Sequence, residues 1–196
     1  MALLGLIPKQ GFEIVRDIIG AILLVEIDNQ HHLSSAEEDF EVFSERITPM
    51  DDADDVYINI ILDSANYAAK NQKDTQGRTM YFIDVYTRGV SDGEGTSNAT
   101  ILLHKYIGWI RYILCATAYN TLDLPLGLIG GTEIESFATL DPALKEDSQY
   151  TRFARLQFAV RIQENQQLWQ GVTLESLDTN VKLDLTEKGY KYILEN

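Results

Sequence analysis

Four aspartates within five residues, Asp51, Asp52, Asp54 and Asp55, form the densest set of hard oxygen donors in the chain. Ca²⁺ and Mg²⁺ take several such ligands, but an EF-hand loop spaces them at alternate positions around a central glycine, with a glutamate at the twelfth. No central glycine is present here, and Asp55 runs directly into an alternating segment at Val56, so the cluster reads as a solvated acidic turn. His31 and His32 are adjacent, whereas a helical zinc pair stands four residues apart and needs a third ligand; they read as a loop dihistidine. Asp63 and Asp84 are the residue type for paired acid–base work and fall on neighbouring predicted strands. Each sits in the polar phase or at the end of its strand, which places both at the surface. No serine lies in a Gly-x-Ser-x-Gly context, and no Lys-Ser or Lys-Thr follows Gly127, Gly130 and Gly131 to make a phosphate loop. The single cysteine, Cys115, excludes an intrachain disulfide, and its neighbours Ile113, Leu114 and Ala116 predict a reduced thiol packed in a helix core. His104 on the same helix would lie about 16 Å away, too far to serve as its base. The expectation is a chain with no catalytic residues, no cofactor and no metal: not an enzyme.

Charge supplies the candidate surface instead. The 196 residues carry 30 acidic and 16 basic side chains, a net of −14. Residues 26–55 hold eleven acids against the lone cation Arg46, a net of −10. Such a surface repels phosphate, which excludes sequence-specific DNA or RNA binding. Glu37, Glu38, Asp39, Asp51, Asp52, Asp54 and Asp55 are therefore the candidate functional residues. The chain is 45% hydrophobic and 23% charged, ordinary for a folded protein, and its length suits one domain over residues 1–196. Residues 1–8 lack the basic region of a signal peptide, and the apolar run 18–27 is interrupted by Gly20 and Glu26, too short to span a bilayer. The protein is expected to stay off membranes and in a cytoplasm.

The elements that must carry these residues follow from periodicity. Ile14, Ile18 and Ile22, flanked by Val15, Ile19 and Leu23, make one apolar helix stripe over residues 12–27, opposite Glu13, Arg16 and Asp17. Residues 34 onward read as an acidic loop. Phe40, Val42 and residues 43–47 predict a strand closed by Pro49. Val56, Ile58, Ile60 and Leu62 alternate with Tyr57, Asn59, Ile61 and Asp63, and residues 80–87 alternate likewise, giving two further strands. Residues 66–78 read as a polar connection and 89–97 as a flexible link. Leu102, Tyr106, Trp109 and Ile113 share one face of a long helix predicted over residues 97–122, ended by Asn120 and Pro125. Helical spacing assigns most of the stripe Tyr106, Trp109, Tyr112 and Tyr119 to the core. Strands follow over 132–139, 152–163 and within 172–185, then a short, helical tail over 189–194. Runs of strands separated by single helices predict an α+β fold: a mainly antiparallel sheet packed against one long helix and an N-terminal helix.

This order resembles the tail-terminator, or tail-completion, proteins of long-tailed bacteriophages, and more broadly the neck proteins of the head–tail junction. The residues that carry the likeness are Phe12, Val15, Arg16 and Ile19 in the first helix, Phe43-Ser44-Glu45-Arg46, a strand ending at Asp63, Ile83-Asp84-Val85-Tyr86, the long helix, and Arg152, Arg155 and Phe158 in a late strand. The resemblance implies a virion protein that assembles in the host cytoplasm. It would form a homo-oligomeric ring, usually a hexamer, that caps the tail tube, ends its polymerisation and meets the head connector. DNA would pass through without specific binding, and the acidic residues above would lie in the lumen or on a docking face. Residues 66–78 and 141–150 would be insertions relative to compact members. Another neck or tail-tube role is the alternative, and after it a small-ligand-binding or enzymatic domain with its site between sheet and long helix.

Overall fold

The computed structural model describes residues 6–46, 55–68, 74–89, 95–125, 127–140, 151–165, 176–182 and 189–195. In chain order the elements are α1 (Gly11–Ser34), β1 (Phe40–Ser44), β2 (Val56–Ala68), β3 (Asp74–Arg88), α2 (Gly95–Cys115), a 3-10 turn (Thr117–Tyr119), β4 (Ile129–Leu140), β5 (Thr151–Asn165), β6 (Ser176–Lys182) and β7 (Gly189–Glu195). The chain divides into two compact units, Met1–Gln166 and Gln167–Asn196. In the second, β6 and β7 pair antiparallel with Ser176 opposite Glu195. The tail expected to be helical is thus a strand, since strand pairing satisfies the backbone of a short segment too brief for a stable helix.

The first unit is α+β. Its sheet runs β1-β2-β3-β5-β4 and is mixed, which corrects the expectation of a mainly antiparallel sheet: β1 pairs parallel to β2 from Phe40↔Val56 to Ser44↔Ile60. Alternation reports which face a residue takes, and says nothing of which way its neighbour runs. Residues 66–68 and 74–78 are strand, not a polar connection, because β2 and β3 stay paired out to Ala68↔Gln76. Gly77 is required there. Its missing Cβ would lie 2.7 Å from the Tyr67 ring, which packs on it from the facing strand.

Both helices cover one face of this sheet. In α1 the buried line is Val15, Ile19, Ile22, Leu23 and Ile27, one residue around from the predicted centre of the stripe. The helix opens with the Gln10 N–H donating to Glu13 Oε2 (2.9 Å) and closes at Ser35 in the left-handed region (φ 52°), where the Ala36 N–H reaches His31 O (3.1 Å). It therefore runs through His31 and His32, which are helical and not in a loop. In α2 the buried line is Leu103, Tyr106, Ile107, Ile110, Ile113 and Leu114. Opposite them β2 presents Val56, Ile58 and Ile60, β3 Tyr81, Ile83 and Val85, and β5 Ala154, Leu156, Phe158, Val160 and Ile162. Burying each large aliphatic side chain contributes about 1.5–3 kcal/mol, so this interlayer is the main source of stability. Tyr81 Oη also donates to Phe12 O (2.8 Å), fixing the first turn of α1 on the sheet.

The α2 helix ends at Cys115, short of residue 122, and the chain turns through Thr117–Tyr119 with Leu122 and Asp123 at positive φ (51° and 54°). Cys115 is exposed, so the core thiol is corrected as well. Tyr119 donates to the Glu26 carboxylate; that hydrogen bond first, then burial, pushes its pKa up to about 12 and ties the turn to α1. Among the described residues no helix is long and apolar enough to cross a membrane.

Candidate functional site

The described acidic candidates, Glu37, Glu38, Asp39 and Asp55, meet at one end of the sheet. Glu38 and Asp39 end the link from α1 to β1, and Asp55 immediately precedes β2. Pairing of these neighbours sets the geometry: Val56 N–H donates to Asp39 O (3.0 Å), Arg88 N–H to Asp55 O (2.9 Å), and Asp39 N–H to Asp55 Oδ2 (3.3 Å). Glu37 is exposed beside them. Asp51, Asp52 and Asp54 lie outside the described residues, so the acidic cluster is placed only in part.

What the sequence did not reveal is the basic and aromatic company these acids keep. Lys105, on α2, donates to Glu38 Oε1 at 2.8 Å, and its ammonium stands 4.8 Å from the Trp109 ring centre. One turn of helix brings Trp109 beside Tyr106, with ring centres 5.2 Å apart. His31 from α1 closes the group, 4.7 Å from Phe40 and 5.8 Å from Trp109, with Nε2 2.5 Å from Tyr106 Oη. Burial lowers the His31 pKa first, Lys105 adds to that, and Glu38 opposes it. Burial raises Tyr106 well above an ordinary phenol, helped by Glu38 and Asp55. For Glu38 burial acts upward, but the Lys105 hydrogen bond, a backbone N–H and the Lys105 charge outweigh it and hold the carboxyl below its usual value. Beside Glu38 opens a cavity of about 430 Å³, walled also by Asp55, Arg88, Asn98, Leu102 and Lys105.

The His31 shift has a pH consequence. A histidine whose folded pKa lies below the unfolded one favours its neutral form in the fold. Its stabilisation is whole above the unfolded pKa of about 6.5 and is lost as pH falls through that value towards the folded one. His31→Gln should therefore flatten the decline in melting temperature between about pH 7 and about pH 5. An unchanged decline would remove His31 as its source.

On the sheet face opposite the helices, rings run across the strands: Phe43 on Tyr57 (5.0 Å), Tyr57 edge-on to Tyr86 (5.7 Å), and Tyr86 on Phe153 (4.5 Å). Asp84, expected at the surface, is 2% exposed and is clamped by Arg155, Nε to Oδ1 at 2.7 Å and Nη2 to Oδ2 at 2.8 Å. Arg155 also lies 4.3 Å over the Phe82 ring. The acid–base pairing of Asp63 with Asp84 does not form: Asp63 is exposed and Asp84 is neutralised by an arginine. Alternation had put Asp84 on the correct face; that the face is itself packed was invisible to it.

Among the described residues no group of three His, Cys, Asp or Glu side chains could hold a metal ion. The sheet ends in two unlike edges. One is β1, five residues. The other is β4, twelve residues, with Phe137 51% and Leu140 43% exposed. No family model matches the chain, and no curated protein matches it in sequence.

Proposed function

We propose that the chain is a structural virion protein that forms a homo-oligomeric ring, a hexamer, at the bacteriophage head–tail junction. In this reading it caps the tail tube, ends its polymerisation and joins the tail to the head connector. The reading rests on the element order set out above and, in the fold, on one observation: the two edges of the sheet differ and neither has a strand partner among the described residues. A closed ring needs a head-to-tail interface in which one surface meets a different surface of the next copy. Sheet edges that offer free backbone donors and acceptors are suited to that contact, and long exposed edges carrying apolar side chains are otherwise avoided. The net charge of −14 fits a channel that lets DNA pass without holding it. Glu37, Glu38, Asp39 and Asp55, with Asp51, Asp52 and Asp54, then belong to the lumen or to a docking face.

Deleting the protein from its phage and imaging the products tests the role. Overlong or unjoined tails beside filled heads are expected; normal virions would refute it. Phe137→Glu refines the test. The side chain is half exposed, so folding should change by no more than about 0.5 kcal/mol. Ring formation on purified tails, scored by electron microscopy, should nevertheless be lost. Intact rings in a folded variant would show that β4 is not the contact.

A further inference from the structure

His31 holds the start of an edge strand. It stands in the last turn of α1, and its ring packs on Phe40, the first residue of β1 (4.7 Å), and on Tyr106 and Trp109 of α2 (5.9 and 5.8 Å). Tyr106 is fully buried and has one hydrogen-bond partner among the described residues, His31 Nε2 at 2.5 Å, so its hydroxyl donates and that nitrogen is unprotonated. A proton on Nε2 would set two donors face to face. The hydroxyl could turn to accept, but its own hydrogen would then be buried without a partner. The charged and titratable groups around the ring, among the described residues, are Glu38 on the link to β1, Lys105 on α2, and Asp28 and His32 on α1. Glu38 and Asp28 favour the extra proton, but Lys105 already holds Glu38 at 2.8 Å and His32 lies 3.6 Å from Asp28.

The two ends of β1 are held differently. Past its last residue, Asn59 grips the Arg46 backbone through both amide atoms (3.1 and 2.8 Å), and the Glu45 N–H donates to Ile60 O (2.9 Å). At its start the ties are the His31 ring, the Glu38–Lys105 bond, and the Val56 N–H on Asp39 O (3.0 Å). Of these ties, only the His31 contact involves a group whose ordinary titration lies near neutral pH.

We propose that His31 is a proton-operated latch: protonation frees the start of β1 and the acidic link before it from the helices, while the far end of β1 stays in place. The order of Glu37, Glu38 and Asp39 at the sheet end thereby becomes a function of pH. The direction follows from linkage. A ring held neutral in the fold is latched above its ordinary pKa and released as pH falls below it; Glu38, kept below its usual value by Lys105, stays charged through that window. The device lies within one chain and stands whether or not the ring reading does.

Amide hydrogen exchange of the ¹⁵N-labelled full-length protein tests this, with protection corrected for the intrinsic effect of pH. Between about pH 7 and about pH 5 the Val56 amide should lose protection at least about threefold, while the Arg46 amide, held by Asn59, keeps its own. The opening should be local: Val56 less protected than the β3 amides from Tyr81 to Val85, and indifferent to dilute urea because little surface is exposed. The ¹³C shifts of the His31 ring in the same samples should titrate with the midpoint of the Val56 change. In His31→Gln, Val56 protection should no longer depend on pH. If that variant does not fold, the match of midpoints in the wild type decides the matter. The latch is overturned if Val56 protection is constant with pH, if Val56 exchanges only together with β3, or if Arg46 loses protection in step with it. Unequal midpoints, or a folded His31→Gln that responds to acid as the wild type does, would overturn it too.

Discussion

Arg155→Ala is expected to destabilise the first unit by about 3 kcal/mol, at the lower end of the range of about 3–5 kcal/mol for breaking a buried ion pair. The cause is what remains. Asp84 is 2% exposed, and without the guanidinium its carboxylate has lost the bidentate partner that offset its desolvation. Arg155 itself keeps 34% of its side-chain surface in water, which moderates the effect. Equilibrium urea unfolding measures it. The companion experiment separates a lost pair from a stranded charge: Asp84→Leu together with Arg155→Met should recover most of the stability, since replacing both members of such a pair by apolar groups is often neutral. A double variant as unstable as Arg155→Ala would mean that Arg155 acts through its contact with Phe82 rather than through Asp84.

Tyr106→Ala should cost about 3–5 kcal/mol, the usual range for removing a buried aromatic ring. Tyr106 is fully buried on α2, between Trp109 and His31, with its hydroxyl against His31 Nε2. Tyr106→Phe removes only that hydrogen bond and should cost about 1–3 kcal/mol by stranding the imidazole nitrogen. Trp109→Ala should cost less than Tyr106→Ala. Periodicity puts both on the buried face, but Trp109 is only partly buried, at the rim of the core under the Lys105 ammonium. Thermal and denaturant melts of the three variants check this order. Trp109→Ala as the most damaging would place the centre of the helix interface on Trp109.

The elements were legible where burial repeats with a fixed period. The strict alternation from Val56 to Leu62 and from Met80 to Thr87 located two central strands, and the spacing of Leu102, Tyr106, Trp109 and Ile113 located α2. Where pairing rather than burial decides, the reading failed. The parallel β1–β2 register, the extension of β2 and β3 through a polar stretch, and the strand at Gly189–Glu195 all depend on hydrogen bonds to a distant neighbour. The site divides along the same line. Glu38 and Asp55 stood out by charge, but Lys105, His31 and Arg88 reach them only through the crossing of α1, α2 and the sheet end, which no local pattern encodes.

The strand order has a consequence for how the chain reaches its fold. β2 and β3 are adjacent in sequence and can close early, with α1 laid over them. The next pairing outward, β3 to β5, joins Arg88 to Thr151 and Asp74 to Asn165, with all of α2 and β4 between. Until residue 165 has left the ribosome, Tyr81, Ile83 and Val85 stand beside an open strand margin without their β5 neighbours. Closing so long a loop is entropically costly and slows the late step, which leaves the nascent chain sticky for longer than a hairpin-built sheet would be. A truncated product ending before β5 should accordingly need chaperone binding to remain in solution, whereas release of the full chain should end that dependence.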